Sequence, residues 1–236
     1  MTIKAILFDK DGTLIDFDAT FAPATAKVLT ALAGGDKVKR ADMADAVDFD
    51  LEDATIRPGS VLIAGSLHNI STCLLPFADS QNLEELNDQV DRLYVKYSLE
   101  SLEPFPFLST TLIELQNLGL TLGIATNDSE SAAIAHMDRL DQTRRFTYIA
   151  GFDSGYGEKP GPGMVRGFAD ALQLHVSQTA MVGDSPHDCN AGRQAGAVVV
   201  AVTSGGSTAK DLRPLCDHLI EDISHLPELI ARLNAQ

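Results

Sequence analysis

The sequence predicts an α/β fold, a doubly wound parallel sheet with an inserted helical domain. Three observations carry this reading. Apolar runs of strand length recur along the chain, and each stops at polar, hydroxyl or carboxylate residues. Helix-like stretches separate the later runs, and strands alternating with helices imply parallel pairing through crossover connections. A long segment after the first run has helical patterning and acidic clusters but no convincing buried strand.

In chain order, residues 3–8 form a short apolar run that breaks at Asp9, with Gly12 and Thr13 close behind. Residues 17–101 carry the helical patterning, with acids such as Asp42, Asp45 and Asp48, and Glu103 to Pro106 read as the return linker. This predicts a core domain of residues 1–16 and 102–236 interrupted by a helical domain of residues 17–101. Residues 107–118 place Leu108, Leu112, Leu115 and Leu118 at helical spacing. A second apolar run, 120–126, ends at Asn127 and Asp128 and leads into a helix over 129–140. A helix over 163–174 precedes a third run, 179–182, which ends at Gly183 and Asp184. Residues 197–202 read as a further strand and 223–233 as a closing helix. In sheets of this kind ligands bind beyond the carboxyl ends of the strands, where these polar groups fall.

The 236 residues carry a formal net charge of -15. That charge repels polyanions at long range, so nucleic acid and anionic membrane surfaces are not expected partners, and any anion pocket must be made locally. Cys73, Cys189 and Cys216 form an odd set without Cys-x-x-Cys spacing, which suggests neither a disulfide framework nor a thiolate zinc site. The first apolar run is too short for a signal or spanning segment, and a cytoplasmic location is expected. The chain is read as a monomer or homodimer.

At the first strand end the sequence is Phe8-Asp9-Lys10-Asp11-Gly12-Thr13-Leu14. Two carboxylates one residue apart can aim at one point only if the strand has already broken into a turn, which Gly12 permits. Paired there, they suit divalent cation binding and a division of roles between nucleophile and acid; an acidic turn followed by a helix cap is the plainer alternative.

This stretch resembles the first motif of the haloacid dehalogenase-like hydrolase superfamily, Asp-x-Asp-Gly-Thr after an apolar strand. Thr126-Asn127 is similar to the second motif. Lys159-Pro160-Gly161-Pro162 is similar to the third, and Gly183-Asp184-Ser185-Pro186-His187-Asp188, continuing to Ala195-Gly196, to the fourth. Four motifs in order cover nearly the whole chain outside the insertion.

The resemblance implies a Rossmann-like core with an inserted helical cap, and a Mg2+-dependent phosphatase acting on a small phosphorylated metabolite. Asp9 would be the nucleophile and become an aspartyl-phosphate. Asp11 would protonate the leaving alkoxide and later deprotonate water; dehalogenating relatives lack this second acid, which favours ester hydrolysis. Asp184 would join Asp9 and the backbone carbonyl of Asp11 around Mg2+, with Asp188 ligating through water or orienting the site. Thr126 and Asn127 would bind the phosphoryl group, by hydroxyl and main-chain amide, unless they only cap the following helix. Lys159 would neutralise phosphoryl oxygens and hold Asp9.

His187 is expected as a loop residue, because a hard-metal oxygen site does not call for imidazole. Ser204-Gly205-Gly206-Ser207 reads as a flexible loop after the 197–202 strand. Strand alternation points Lys10 away from Asp9 and Asp11 and gives it a structural role. Arg57, His68 and Lys96 are polar groups of the insertion that reach either an anionic substrate or solvent. The resemblance to helical-cap members, which include phosphoglycolate phosphatases, phosphonoacetaldehyde hydrolases and phosphoglucomutases of the β-anomer type, points to phosphoglycolate or a sugar phosphate as substrate. The alternatives are a phosphomutase of the β-phosphoglucomutase type and a non-catalytic phospho-ligand-binding protein.

Overall fold

A computed structural model of the chain describes residues 2–235. They divide into two compact units, one that runs to Asp16 and resumes at Pro104, the other Phe17–Glu103. The described strands, in chain order, are β1 (Ala5–Phe8), β2 (Phe49–Asp50), β3 (Thr55–Ile56), β4 (Thr121–Ala125), β5 (Phe146–Ala150), β6 (Thr179–Gly183), β7 (Val198–Val202) and β8 (His218–Ile220).

The first unit is built on a six-stranded sheet in the order β5-β4-β1-β6-β7-β8, and every pairing in it is parallel. β1 is the four-residue segment AILF, each side chain fully buried. A central parallel strand is covered on both faces, so it reads as a continuous apolar run rather than an alternating one. After β1 the chain builds outward through β4 to β5, then crosses to β6 on the other side of β1. The strand order therefore reverses at β1, and the crevice at its carboxyl end is where such sheets bind ligands.

Register carries this further. Phe8 sits opposite Ile124 of β4 and Val182 of β6, so the residues that leave the sheet together are Asp9, the Ala125-Thr126 pair and the Gly183-Asp184 pair. The Asp9 amide still donates to the Val182 carbonyl, at 2.8 Å, which holds the first carboxylate at the carboxyl end of the central strand.

The expected helices form as Leu108–Asn117, Glu130–Arg139, Gly163–Ala171 and Leu226–Asn234. Ser129 caps the second of them by accepting from the Ala132 amide at 3.2 Å. Phe168 of the third packs with Leu7, Met164, Val165 and Met181 in the core under the sheet. The edge strands β5 and β8 are additions to the sequence reading.

The Phe17–Glu103 unit is mainly helical, with Phe17–Ala33, Lys37–Ala46, Leu67–Leu74 and Leu83–Glu100 as its longer helices. Val28, Leu29, Leu32, Met43, Leu74, Leu86 and Val90 make its own core. Asp36 and Asn82 cap two of these helices through their side chains. The antiparallel pair β2 and β3 is two residues per strand and departs from the wholly helical expectation; Phe49 of β2 is buried in the helical core. Among the described residues no helix is long and apolar enough to cross a membrane.

Candidate active site

Three carboxylates meet at the carboxyl ends of β1 and β6. Asp9 follows β1, Asp184 follows β6, and Asp188 stands in the first turn of the Pro186–Ala195 helix. One oxygen of each lies within 4.8 Å of the others, and all three residues are buried. Lys159 lies among them and is 4 % exposed. Its Nζ donates to Asp9 Oδ1 at 2.5 Å, to Asp188 Oδ1 at 2.6 Å and to the Ala125 carbonyl at 2.8 Å. A lysine ammonium has three hydrogens, and these three acceptors use them all.

The electrostatics are unbalanced. Three carboxylates against one ammonium leave two negative charges uncompensated when all are ionised. Burial accordingly pushes the Asp9 carboxyl well above the usual range, and although Lys159 pulls it down, Asp188, Asp184 and Asp11 push it further up. Asp184 is raised to about 7, by burial first and then by Asp188. Burial opposes the charge on Lys159, but Asp188 and Asp9 more than offset it, so the ammonium is held charged.

Several neighbours hold this arrangement. Asp188 Oδ2 accepts from the Ser185 amide at 3.0 Å and its hydroxyl at 2.6 Å, so both of its oxygens are engaged within the protein. Asn127 Oδ1 accepts from the Lys159 amide at 2.8 Å, and Asn127 Nδ2 donates to the Lys159 carbonyl at 2.9 Å. This side-chain clamp fixes the loop that delivers the lysine. Asp184 is fenced by one backbone and one side-chain donor: the Gly206 amide donates to its Oδ2 at 3.1 Å, and the Thr13 hydroxyl to its Oδ1 at 3.4 Å. Gly12, at a φ of +78°, and Gly205 both press against the Asp184 carboxylate; a Cβ there would lie 2.7 Å and 1.9 Å from Oδ2.

Asp11 stands apart from the three-carboxylate group. Its Oδ1 accepts from Lys10 Nζ at 2.6 Å, and its Oδ2 is 3.5 Å from Thr126 Oγ1. Burial raises its carboxyl above the ordinary range while Lys10 holds it down. Lys10 is 0 % exposed and also meets Asp128 Oδ2 at 3.0 Å and His136 Nδ1 at 3.1 Å. His136 is kept neutral, lowered to about 3 by burial and by the lysine charge.

A family model described as haloacid dehalogenase-like hydrolase matches residues 6–202. The chain belongs to the haloacid dehalogenase-like hydrolase family. Among curated relatives, a phosphoglycolate phosphatase of Neisseria meningitidis is 30% identical over 86% of this chain and 81% of its own length. One from Vibrio cholerae is 28% identical over 97% of both. Among solved structures, a protein from Bacteroides fragilis assigned as a haloacid dehalogenase-like hydrolase superposes with a TM-score of 0.74 at 21% identity, covering 95% of this chain and 100% of that one. The six parallel strands and flanking helices are the Rossmann-like fold of these hydrolases.

The structure therefore brings Asp9, Lys159, Asp184 and Asp188 to one point, with Thr126, Asn127 and Asp11 beside them. It corrects two expectations, for Lys10 and for His187. Lys10 does not point away from Asp11. Alternation holds only within a strand; β1 ends at Phe8, and at Lys10 the chain is already turning, with the Leu14 and Ile15 amides both donating to the Lys10 carbonyl. The 204–207 segment is irregular, as expected after the 197–202 strand, and it is tied to the site: Ser204 Oγ donates to the Gly12 carbonyl at 2.8 Å and the Gly206 amide donates to Asp184. Asn127 adds a side-chain role, the clamp on Lys159, to the main-chain role expected of it. Asp128 and His136 join the site as acceptors for the buried Lys10, and no local sequence pattern signals them.

The remaining candidates lie elsewhere. His187 is not a loop residue, because the Ser185 cap starts the Pro186–Ala195 helix one residue before the Pro and places His187 in its first turn; it stands outside the carboxylate group. In the helical unit Arg57 Nη2 meets Asp50 Oδ2 at 3.1 Å, His68 Nδ1 is 3.3 Å from Asn87 Nδ2, and Lys96 lies 4.8 Å from the Tyr97 ring centre. All three cysteines are free, and burial pushes the Cys189 thiol up to about 12, which keeps it neutral.

Proposed function

We propose that this phosphoric monoester hydrolase cleaves a small phosphate ester, 2-phosphoglycolate or a sugar phosphate, with Mg2+ and through an aspartyl-phosphate on Asp9. The observation that carries the reading is Asp9 itself: a buried carboxylate at the switch point of the sheet, 2.5 Å from a buried ammonium and grouped with two further carboxylates. The donor set fits the ion. Oxygen ligands alone and two uncompensated negative charges suit a hard divalent cation and not a soft one.

Asp9, Asp184 and the Asp11 carbonyl are assigned to the ion, and Asp188 is assigned to holding Lys159, because both its oxygens already have protein donors. When bound, Mg2+ supplies positive charge that lets a carboxylate approach an anionic phosphoryl group. An Asp9 oxygen attacks phosphorus as the ester P–O bond breaks, and Asp11 donates a proton to the departing alkoxide. Water then attacks the aspartyl-phosphate, giving its proton to Asp11 and restoring the Asp9 carboxylate with release of phosphate. Lys159 and the Thr126 hydroxyl stabilise the phosphoryl oxygens, the lysine as a preorganised charge. Substrate choice is assigned to the Phe17–Glu103 unit as the cap domain, on its place in the chain between the first two motifs. The phosphoglycolate phosphatases among the relatives favour 2-phosphoglycolate, and a cytoplasmic enzyme fits such a metabolite.

The test is phosphate release from a panel of phosphorylated metabolites, with Mg2+ and with a chelator. We expect Mg2+-dependent release from 2-phosphoglycolate or a sugar phosphate, reversed by the chelator and restored by added ion. Isomerised sugar phosphate in place of free phosphate would favour the mutase, and no release from any ester would sink the reading.

Gly205 gives a sharper prediction. In Gly205→Ala the new methyl collides with the Asp184 carboxylate. Displacing a ligand through a neighbour costs roughly 10- to 100-fold in metal affinity. The Mg2+ concentration for half-maximal phosphate release should rise accordingly; an unchanged Mg2+ titration would remove Asp184 from the ion site.

A further inference from the structure

Two buried lysines each gather two carboxylates of this site, and Asp184 belongs to neither pair. Lys159 takes Asp9 and Asp188; Lys10 takes Asp11 and Asp128. Asp11 is only two residues from Asp9, yet its carboxylate is outside the group formed by Asp9, Asp184 and Asp188.

The Lys10 ammonium is held on all sides. Its three hydrogens face Asp11 Oδ1, Asp128 Oδ2 and His136 Nδ1, at 2.6, 3.0 and 3.1 Å. A lysine can only donate, so His136 must offer the lone pair of Nδ1 and carry its ring proton on Nε2. The anchors are themselves fixed. Asp128 Oδ1 accepts from the Ser129 amide at 2.9 Å, and its own amide donates to Thr126 Oγ1 at 3.0 Å. His136 is fully buried in the Glu130–Arg139 helix. Two acceptors supplied by the segment after β4 thus set the position of a cation, and the cation sets the position of the Asp11 carboxyl.

We infer that Lys10 is a positioning residue for the reaction: its charge-assisted hydrogen bond keeps the Asp11 carboxyl away from the Asp9, Asp184 and Asp188 cluster and aimed for proton transfer to the leaving oxygen. The inference rests on the reading of Asp11 as acid and base. Without Lys10, one side of Asp11 loses its strongest contact, and a carboxyl free to rotate spends less time aimed at the leaving oxygen. The nucleophile and the Lys159 cluster have separate contacts and stay in place.

The experiment compares the Mg2+-loaded wild-type enzyme with Lys10→Met, the charge-balanced double variant Lys10→Met/Asp128→Asn, and Asp11→Ala. Each is assayed on p-nitrophenyl phosphate, whose leaving group departs without a proton, and on the alkyl phosphate turned over fastest in the metabolite panel. For Lys10→Met we expect kcat on the alkyl ester to fall about tenfold or more, kcat on p-nitrophenyl phosphate to fall less than about threefold, and KM for both to hold. The double variant deletes one positive and one negative charge together, so it answers the question even if Lys10→Met does not fold, and it should show the same selective loss. Equal losses on both esters in a folded Lys10 variant, with Asp11→Ala still selective for the alkyl ester, overturn the inference alone. An Asp11→Ala enzyme that loses both esters equally overturns the acid role and the inference with it.

Discussion

Asp9→Asn is expected to abolish phosphate release while leaving the sheet folded. The amide keeps the shape of the carboxyl and can still accept from Lys159, but it cannot form the acyl phosphate. Loss of a covalent nucleophile typically removes most of the rate, here roughly 10⁴-fold or more. The same substitution should not cost stability. Burial, with Asp188, Asp184 and Asp11 against the pull of Lys159, raises the folded carboxyl above its unfolded value, so the native state binds the Asp9 proton more tightly. Stability from such a group is present at low pH and is lost as pH rises through the folded value. In chelator, Asp9→Asn should therefore melt no lower than wild type at pH 8, and its advantage should shrink at pH 5. Turnover close to wild type would move the nucleophile elsewhere; a collapsed melting temperature would show that the carboxylate holds the fold.

Lys159→Met is expected to damage activity and stability together. It removes the cation among three buried carboxylates and leaves the Ala125 carbonyl without that donor. Breaking a buried ion pair from one side typically costs about 3–5 kcal/mol, a large part of a domain stability of about 5–15 kcal/mol. The sign with pH is fixed by the carboxylates. Lys159 has a raised folded value and is charged in both states at and below neutral pH, so its own titration adds no slope there. Asp184, already at about 7, goes higher once the ammonium is gone, and protonation relieves the repulsion. The loss of melting temperature should thus be small at pH 5 and large at pH 8, and added Mg2+ should recover part of it. Turnover should fall roughly 10²- to 10³-fold with folded enzyme at pH 6. A destabilisation independent of pH would show that the three carboxylates do not share the charge of Lys159.

Much of this site was legible before any coordinates. The strand ends at Asp9, Thr126 and Asp184 announce themselves because a central parallel strand is uniformly apolar and its end is abrupt. The edge strands were not legible for the same reason reversed. Phe146–Ala150 has two half-buried positions and one exposed, and follows Arg144 and Arg145; His218–Ile220 is three half-buried residues. An edge strand buries too little to impose a pattern. The orientation of Lys10 was not legible because alternation ends with Phe8, the last strand residue, and Lys10 lies two residues on, in a turn.

The amino-acid sequence by itself determined the parallel α/β class, the helical insertion, and the identity and order of the four polar clusters, since each is written in local patterns: apolar runs, helical spacing and short motifs. Only the tertiary structure decided which carboxylates share which lysine. Lys159 is 150 residues from Asp9, and Lys10 is 126 from His136; pairings over such separations are set by sheet register and helix packing, which no local pattern encodes. The glycine loop that fences Asp184 was settled in the same way, because its meaning lies in the side chain it touches.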